Sequence, residues 1–193
     1  MTSPLNARVR GAAGLIVVAV GLSACAADRG APTATDGVVE VIATGDRERV
    51  DPIKGELLDG GNFDSNSLAG QVVVYNVWGS WCAPCRTEAP TLKQVSEETR
   101  ELGVRFVGIN VRDNDAAARA FEDNYGIDYP SITTGTSSDA LLAFGPALPP
   151  SAVPSTMVVD ADGRLAARII GPASYTTLSK LVTETAAESQ VAQ

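Results

Sequence analysis

The residues best suited to chemistry in this 193-residue chain are two cysteines separated by two residues, Cys82 and Cys85. Thiols at this spacing can reach each other and cycle between a dithiol and a disulfide. They could instead form an inert structural disulfide or half of a zinc site. A zinc site needs further ligands, yet the chain has no histidine and only one other cysteine. The pair therefore favours redox chemistry, and we expect no metal and no other cofactor.

The two cysteines are predicted to lie where a buried strand turns into a helix. Residues 72–78 are apolar, rich in β-branched and aromatic side chains and bounded by glycines, which predicts a buried strand. A helix is predicted over residues 83–102, with Gly103 as its cap. Its inward face, at spacings of three and four, consists of Leu92, Val95, Thr99 and Leu102. Pro90 is expected to kink this helix, unless the helix begins after it.

The helix position predicts different roles for the two thiols. The first turn of a helix has unpaired N–H groups and carries the positive end of the helix dipole, and both stabilise a thiolate. Cys82 is therefore predicted to be the more acidic and reactive thiol. Cys85, one turn later on the same side, could attack a mixed disulfide on Cys82 and release the substrate.

The third cysteine is interpreted differently, as part of a leader segment. Arg8 and Arg10 precede an apolar run over residues 11–22, and small residues lead up to Cys25. This pattern resembles a bacterial lipoprotein signal, which would make residues 1–24 the leader and Cys25 the lipidated first residue. An ordinary cleaved signal and an uncleaved anchor are the alternatives, although the apolar run is shorter than a spanning helix of about 20 residues. All three place the domain outside the cytoplasm, where disulfides persist.

Composition divides the rest of the chain into a tether and one domain. Residues 25–37 are small and polar without periodicity, which is typical of a flexible tether, and residues 38–193 suffice for a single domain. Removing the leader takes away two arginines and no acid, so the formal charge would go from −8 to −10. This acidity argues against a nucleic-acid partner and against electrostatic docking on anionic lipid.

Strand and helix patterns alternate along the predicted domain. Further strands are predicted at 53–58, 104–111, 131–133, 155–160 and 165–170, the last two joined by an Asp-Gly turn. A helical turn is predicted at 64–68, and helices at 115–125, 137–144 and 174–188. The inward residues of the second and last helices are predicted to be Ala117, Ala120, Phe121 and Tyr125, and Tyr175, Leu178, Leu181, Val182 and Ala186. The order predicts an α/β sandwich with a mixed sheet.

Three segments, 74–90, 107–111 and 152–160, resemble the thioredoxin-like family, and within it the extracytoplasmic TlpA/ResA-like thiol–disulfide oxidoreductases. The first segment is the most specific, because it joins a Trp-Cys-x-Pro-Cys motif to Glu88 and Pro90. The resemblance implies a thioredoxin-like sandwich, with a mixed central sheet flanked by helices, an N-terminal extension and the insertion of that subfamily.

The resemblance also implies a substrate surface around the cysteines. Pro154 matches the family's cis-proline, which stands opposite the redox cysteines, whereas the residues alone would suggest an ordinary trans proline at a strand entry. The preceding residue, Val153, would present its backbone to an incoming peptide. Trp81 and Pro84 are expected on the same surface, although Trp81 is also interpreted as a packing residue.

Two polar residues near the cysteines are given roles by the resemblance. Glu88 matches an acidic residue thought to tune the thiols, since a carboxylate near a thiolate raises the pKa of the thiol and can relay its proton. The alternative for Glu88 is a solvated glutamate that stabilises the first helical turns. Asn76 stands where cytoplasmic thioredoxin has a buried aspartate, so we expect a hydrogen-bonded polar residue within the strand.

The function implied by the resemblance is thiol–disulfide exchange with exported proteins at the outer face of the bacterial membrane. A reductase of apocytochrome c or another exported protein, supplied with electrons by a membrane dithiol carrier, is preferred. An oxidase that forms disulfides in secreted proteins is the alternative. A peroxiredoxin-type peroxidase and a thioredoxin-fold copper chaperone are disfavoured, because the chain lacks the cysteine setting of the first and the histidine of the second.

Overall fold

A computed structural model describes residues 36–191, with eight strands and four α-helices. The strands are β1 (Val38–Val41), β2 (Lys54–Glu56), β3 (Asn62–Asp64), β4 (Val72–Trp78), β5 (Val104–Asn110), β6 (Ser131–Ile132), β7 (Ser155–Val159) and β8 (Leu165–Ile170). The helices are α1 (Ala83–Thr99), α2 (Asp115–Tyr125), α3 (Thr134–Leu142) and α4 (Tyr175–Val191).

The main sheet is mixed, with the strand order β1, β8, β7, β4, β5, β6. Strand β4 lies parallel to β5 and antiparallel to β7, and all seven of its residues are buried. Strands β2 and β3 form a separate antiparallel hairpin. The predicted thioredoxin-like class, a mixed central sheet flanked by helices, is confirmed.

Side chains alternate across β4 and supply two separate cores. Val73, Tyr75 and Val77 pack in one cluster with side chains from the β2–β3 region and from α3. Val72 and Val74 pack in the other, with side chains from α1 and α4. Because both faces of the sheet are covered, β4 is apolar at every position except Asn76 rather than alternating with polar residues.

Helix α1 begins at Ala83, as predicted, and continues through Pro90, so the alternative of a start after that proline is wrong. It ends at Thr99, and a 3-10 turn continues to Leu102. Leu102 was predicted to face inward but is 43% exposed. A 3-10 turn has three residues per turn rather than 3.6, so it rotates Leu102 away from the face set by Leu92 and Val95.

Three further details of the helices differ from the predictions. In α2 the buried residues are Ala118 and Phe121, and Ala120 is exposed. Helix α3 begins at Thr134, three residues before the predicted start, so Ser137 lies buried inside the helix. Tyr175 opens α4 and is 41% exposed, with its hydroxyl donating to Glu98 at 2.8 Å. The apolar repeat predicts the inward residues least well at helix ends and in helices with few buried residues, because few contacts fix the rotation of the helix there.

Among residues 36–191, no helix is long and apolar enough to cross a membrane. The predicted leader 1–24, the lipidation site Cys25 and the tether up to residue 35 lie outside the described residues. The edge strand β1 was not predicted, although the domain was expected to begin near Val38; it pairs with β8 along its full length.

Candidate redox site

Cys82 lies at the N-terminus of α1 and forms a disulfide with Cys85. Strand β4 ends at Trp78, and the turn that follows is closed by the Cys82 N–H, which donates to the carbonyl of Gly79 at 3.0 Å. The Sγ atom of Cys82 accepts the backbone N–H of Cys85 at 3.2 Å, in the position of an N-cap side chain. The predicted strand-to-helix location of the pair is thus confirmed, and one helical N–H already points at the sulfur of Cys82.

The two sulfurs are covered in the oxidised form, with Cys82 3% exposed and Cys85 1% exposed. Residues Ala83 and Pro84, which separate them, are exposed. Pro84 lies in the first helical turn, where its missing N–H costs no helical hydrogen bond. Both cysteines are therefore almost completely covered, while the two residues between them are open to solvent.

The Val153–Pro154 peptide bond is cis, as the resemblance implies. Val153 packs against the cluster that contains Cys82 and Cys85, so the tertiary structure brings this loop to the disulfide. Strand β7 begins only at Ser155, and within residues 36–191 the backbone groups of Val153 make no hydrogen bond. The backbone beside the cysteines is thus available for pairing with an extended chain.

Glu88 is buried on α1, three residues after Cys85, with 2% of its surface exposed. One carboxylate oxygen accepts the Asn76 side-chain amide at 3.0 Å, and the other accepts the backbone N–H of Ala173 at 2.9 Å. Burial raises the pKa of Glu88 to about 7, although both hydrogen bonds oppose this rise. The alternative of a solvated glutamate is therefore wrong.

Asn76 joins three elements of the fold at this site. Besides Glu88 on α1, its amide nitrogen donates to the Thr156 hydroxyl at 3.2 Å and to the Ser155 carbonyl at 3.4 Å, both on β7. The expectation of a hydrogen-bonded polar residue within the strand is confirmed. This amide thereby ties the helix that carries the cysteines to the strand that follows Pro154.

A cavity of about 10 Å³ lies behind Cys85 and is lined by Asn76 and Tyr129 as well as apolar side chains. Its volume matches about one water molecule. Burial raises the pKa of the Tyr129 hydroxyl above its usual value. No pattern in the sequence marked Tyr129, which comes from the loop after α2 and is placed here only by the packing of that loop.

The two tryptophans next to the cysteines have different environments. Trp78 is 3% exposed and stacks on Phe121, with 4.5 Å between ring centroids, so it is a packing residue. Trp81 is 47% exposed, and its indole N–H donates to the Val111 carbonyl at 3.2 Å. A Cβ on Gly79 would lie 2.5 Å from the Trp81 indole nitrogen, so glycine is needed for the ring to fold back in this way.

The loop after β5 holds the turn that leads into the cysteines. Asp113 accepts the Ser80 N–H at 2.6 Å and the Ser80 hydroxyl at 2.8 Å, and it also accepts the Asn110 side-chain amide at 3.1 Å. Burial would raise the pKa of Asp113, but the hydrogen bonds from Ser80 and Asn110 outweigh it and hold this pKa below its usual value. Sequence reasoning missed Asp113, because its partner is 33 residues away in the chain.

The chemistry available to this arrangement is exchange between a disulfide and thiols. A cysteine pair at a helix N-terminus, beside a cis-proline loop and above a buried carboxyl group, contains the groups that such exchange requires. Within residues 36–191, no three His, Cys, Asp or Glu side chains are grouped so that they could hold a metal ion. The fold and the site define the class of thioredoxin-like proteins that carry a disulfide-forming cysteine pair at a helix N-terminus.

The chain belongs to the Redoxin family, whose model matches residues 29–185. It is 30% identical over 115 residues to the thiol–disulfide oxidoreductase ResA of Bacillus thuringiensis, covering 59% of this chain and 63% of that protein. It is 32% identical over 119 residues to the thiol:disulfide interchange protein HelX of Rhodobacter capsulatus, covering 62% and 63%. The chain thus matches less than two thirds of the length of these relatives.

A solved structure extends the comparison over most of the described fold. The secreted thiol–disulfide isomerase of Corynebacterium glutamicum has a TM-score of 0.70 and 30% sequence identity, covering 77% of this chain and 92% of that one. Together with ResA and HelX, it confirms the resemblance to TlpA/ResA-like proteins that the motifs indicated.

Proposed function

We propose that this protein is a lipid-anchored, extracytoplasmic thiol–disulfide oxidoreductase that acts on exported proteins. The observation that carries the proposal is the Cys82–Cys85 disulfide at the N-terminus of α1, with the cis Val153–Pro154 bond beside it. Lipidation at Cys25 would hold the domain at the membrane surface. This part of the proposal depends on the leader pattern in the sequence.

The exchange reaction uses both thiols in turn. In the reducing direction, the Cys82 thiolate attacks one sulfur of a substrate disulfide, and the other substrate sulfur leaves and takes up a proton. Cys85 then gives up its proton and attacks the Cys82 sulfur, which releases the second substrate sulfur as a thiol. Two electrons and two protons reach the substrate, and the Cys82–Cys85 disulfide is left behind. An oxidase runs the same steps in reverse.

Glu88 is the group suited to handling the proton of Cys85. It lies one helical turn beyond Cys85, and its pKa of about 7 lets it take up or release a proton near neutral pH. When ionised, its charge would also disfavour a second negative charge on a nearby thiolate. We therefore assign Glu88 the role of tuning the thiol pair.

Substrate binding would use the surface around the disulfide. The free backbone groups of Val153 suit strand-like pairing with an extended substrate segment, and the cis-proline bond fixes the direction of that backbone. The exposed side chains of Trp81 and Pro84 would contact the same segment. These contacts recognise an unfolded or extended chain around a cysteine rather than one particular sequence.

Reduction of exported proteins, including apocytochrome c during cytochrome c maturation, is the preferred direction. Similarity to ResA and HelX supports it, and electrons would come from a membrane dithiol carrier. Disulfide formation in secreted proteins is the second candidate, supported by the likeness to a secreted thiol–disulfide isomerase. A reduction potential of the purified chain near −270 mV would support the reductase, and one near −120 mV the oxidase.

Trapping of mixed disulfides tests the proposed exchange itself. In Cys85→Ser, the resolving thiol is missing, so substrates should remain attached to Cys82 and appear as adducts on non-reducing gels. Cys82→Ser is the matched control and should give none, because the attacking thiol is lost. Equal adduct yields from both variants, or none from either, would contradict the assignment of Cys82 as the attacking thiol.

A further inference from the structure

Arg112 differs from most cations of the described domain because it has no acidic partner. Most lysine and arginine side chains in residues 36–191 form ion pairs or donate to backbone carbonyls. Arg112 and Arg49 do neither, and both are exposed. The guanidinium carbon of Arg112 instead lies 4.7 Å from the ring centroid of Trp81, in a cation–π contact. A positive charge without an ion-pair partner therefore lies over Trp81, the residue before Cys82, in a chain whose formal net charge is −8.

The backbone holds Arg112 in a conformation that side chains avoid. Its φ is 53°, the only positive value among the non-glycine residues described. A residue with a Cβ adopts this left-handed region at a cost in free energy, and such residues cluster at functional sites. The conformation is fixed from both sides, since the Val111 N–H donates to the Trp78 carbonyl at 2.9 Å and the Asp113 N–H to the Thr134 hydroxyl at 3.2 Å.

No neighbouring carboxylate of the described residues forms an ion pair with Arg112. The carboxylate of Asp113 is occupied by Ser80, Asn110 and the Asn114 N–H. Arg86, another exposed cation near the cysteines, already donates to the Ser80 carbonyl at 2.9 Å. The Trp81 ring under the guanidinium is itself held by its bond to the Val111 carbonyl. The ring and the cation thus form a fixed, preorganised surface next to Cys82.

We propose that Trp81 and Arg112 form a docking surface for the cysteine-bearing segment of a substrate, in which Arg112 binds the carboxylate of an aspartate or glutamate near the substrate cysteine. The inference rests on the proposed exchange function and adds a preference among substrates. The Trp81 ring contacts the peptide, and the guanidinium donates to the carboxylate oxygens. The overall acidity of the chain repels acidic segments elsewhere, so this attraction is local to the site.

Peptides that differ in one side chain test this preference. The probes are short peptides whose single cysteine carries a 2-thiopyridyl disulfide, with Glu or Gln placed in turn at each of the three positions on either side of that cysteine. The Cys82 thiolate of the reduced full chain attacks the peptide sulfur, and pyridine-2-thione leaves with a proton and is followed by absorbance. Cys85 then displaces the peptide as a thiol, so the peptide disulfide is reduced and the protein oxidised.

The measured quantity is the ratio of the rate constants for the Glu and Gln peptides. In the wild type at low salt we expect a ratio of about two to five at one position or more, as for an exposed ion pair. Arg112→Gln should bring this ratio close to one, and Arg112→Lys should keep most of it. Arg49→Gln is the control for net charge and should leave the ratio unchanged. High salt should reduce the wild-type preference.

The ratio separates this inference from the function on which it rests. A variant that alters the general reactivity of Cys82 changes the rate constants for the Glu and Gln peptides by the same factor, so this effect cancels in their ratio. A wild-type ratio of one at all positions, or an unchanged ratio in Arg112→Gln, would overturn the docking role while exchange with the Gln peptides still supports the oxidoreductase. Absence of exchange with every peptide would overturn the proposed function, and the docking role with it.

Discussion

The burial of Glu88 should make the stability of the domain depend on pH. Its pKa is raised from 4.5 to about 7, so between these values the folded state binds a proton that the unfolded state has released. The free energy of unfolding therefore falls as the pH rises through this window, and the loss is complete above about pH 7. At 1.36 kcal/mol for each pKa unit, the folded domain loses about 3 kcal/mol from this one group.

The substitution Glu88→Gln removes this ionisation at the same side-chain length. A glutamine has one acceptor oxygen, whereas both oxygens of Glu88 accept, from Asn76 and Ala173. The amide NH₂ would thus face one of these donors, and the lost hydrogen bond costs about 1 kcal/mol at every pH. The variant should be less stable than the wild type at pH 4.5 by about this amount, and more stable at pH 8 by about 2 kcal/mol.

The assay is urea unfolding of the oxidised protein at intervals from pH 4.5 to 8, with wild type and variant compared at each pH. The disulfide keeps both cysteines from titrating, and the chain has no histidine to titrate in the same window. Taking the difference between the two proteins removes the contribution of Glu122, whose pKa is also raised by burial. Glu101→Gln, at an exposed glutamate, controls for the loss of one negative charge. Parallel stability curves for wild type and Glu88→Gln would refute the reasoning.

Two further predictions concern buried polar groups, and a third substitution serves as a control for the first. Arg47→Met leaves the Asp160 carboxylate buried without its cation, which lies 3.1 Å away, so the free energy of unfolding should fall by about 3–5 kcal/mol. Glu188 is the half-exposed second partner of Arg47, and Glu188→Gln should lower the free energy of unfolding by at most about 1 kcal/mol in the same urea experiment. Asn76→Asp places a second carboxyl group beside Glu88, so the pair of carboxyl groups should retain a proton above neutral pH. The loss of stability between pH 5 and pH 8 should therefore be larger in this variant than in the wild type. Urea unfolding of both proteins at the two pH values measures this difference.

Local sequence signals predicted the redox pair and its immediate setting well. The apolar run before the cysteines, the glycines around it and the helical periodicity after it all act over a few residues, and β4 and the start of α1 lie where they were predicted. The cis bond at Pro154 came from the resemblance, because the residues alone would favour trans. Periodicity failed at Leu102 and Tyr175, because helix ends are oriented by contacts rather than by the repeat.

The environment of Glu88 shows what the sequence left open. Its place one turn after Cys85 follows from helical spacing, but the same spacing fits a solvated glutamate equally well. Whether water reaches it is decided by the loop before α4, where the Ala173 N–H donates to it, and by Asn76 on β4. These partners are 85 and 12 residues away, and no local preference encodes their approach.

The sequence by itself identified the chemistry that the chain can offer, since two thiols at this spacing ahead of a helix can form a disulfide and exchange it. Tertiary structure alone decided which groups adjust and direct that chemistry. Arg112 lies 30 residues from the cysteine turn in the chain, yet the pairing of β4 with β5 and the left-handed backbone bring its guanidinium over Trp81. Contacts between distant segments arise only when the sheet and its two cores form together, so a reading of local patterns does not reveal them.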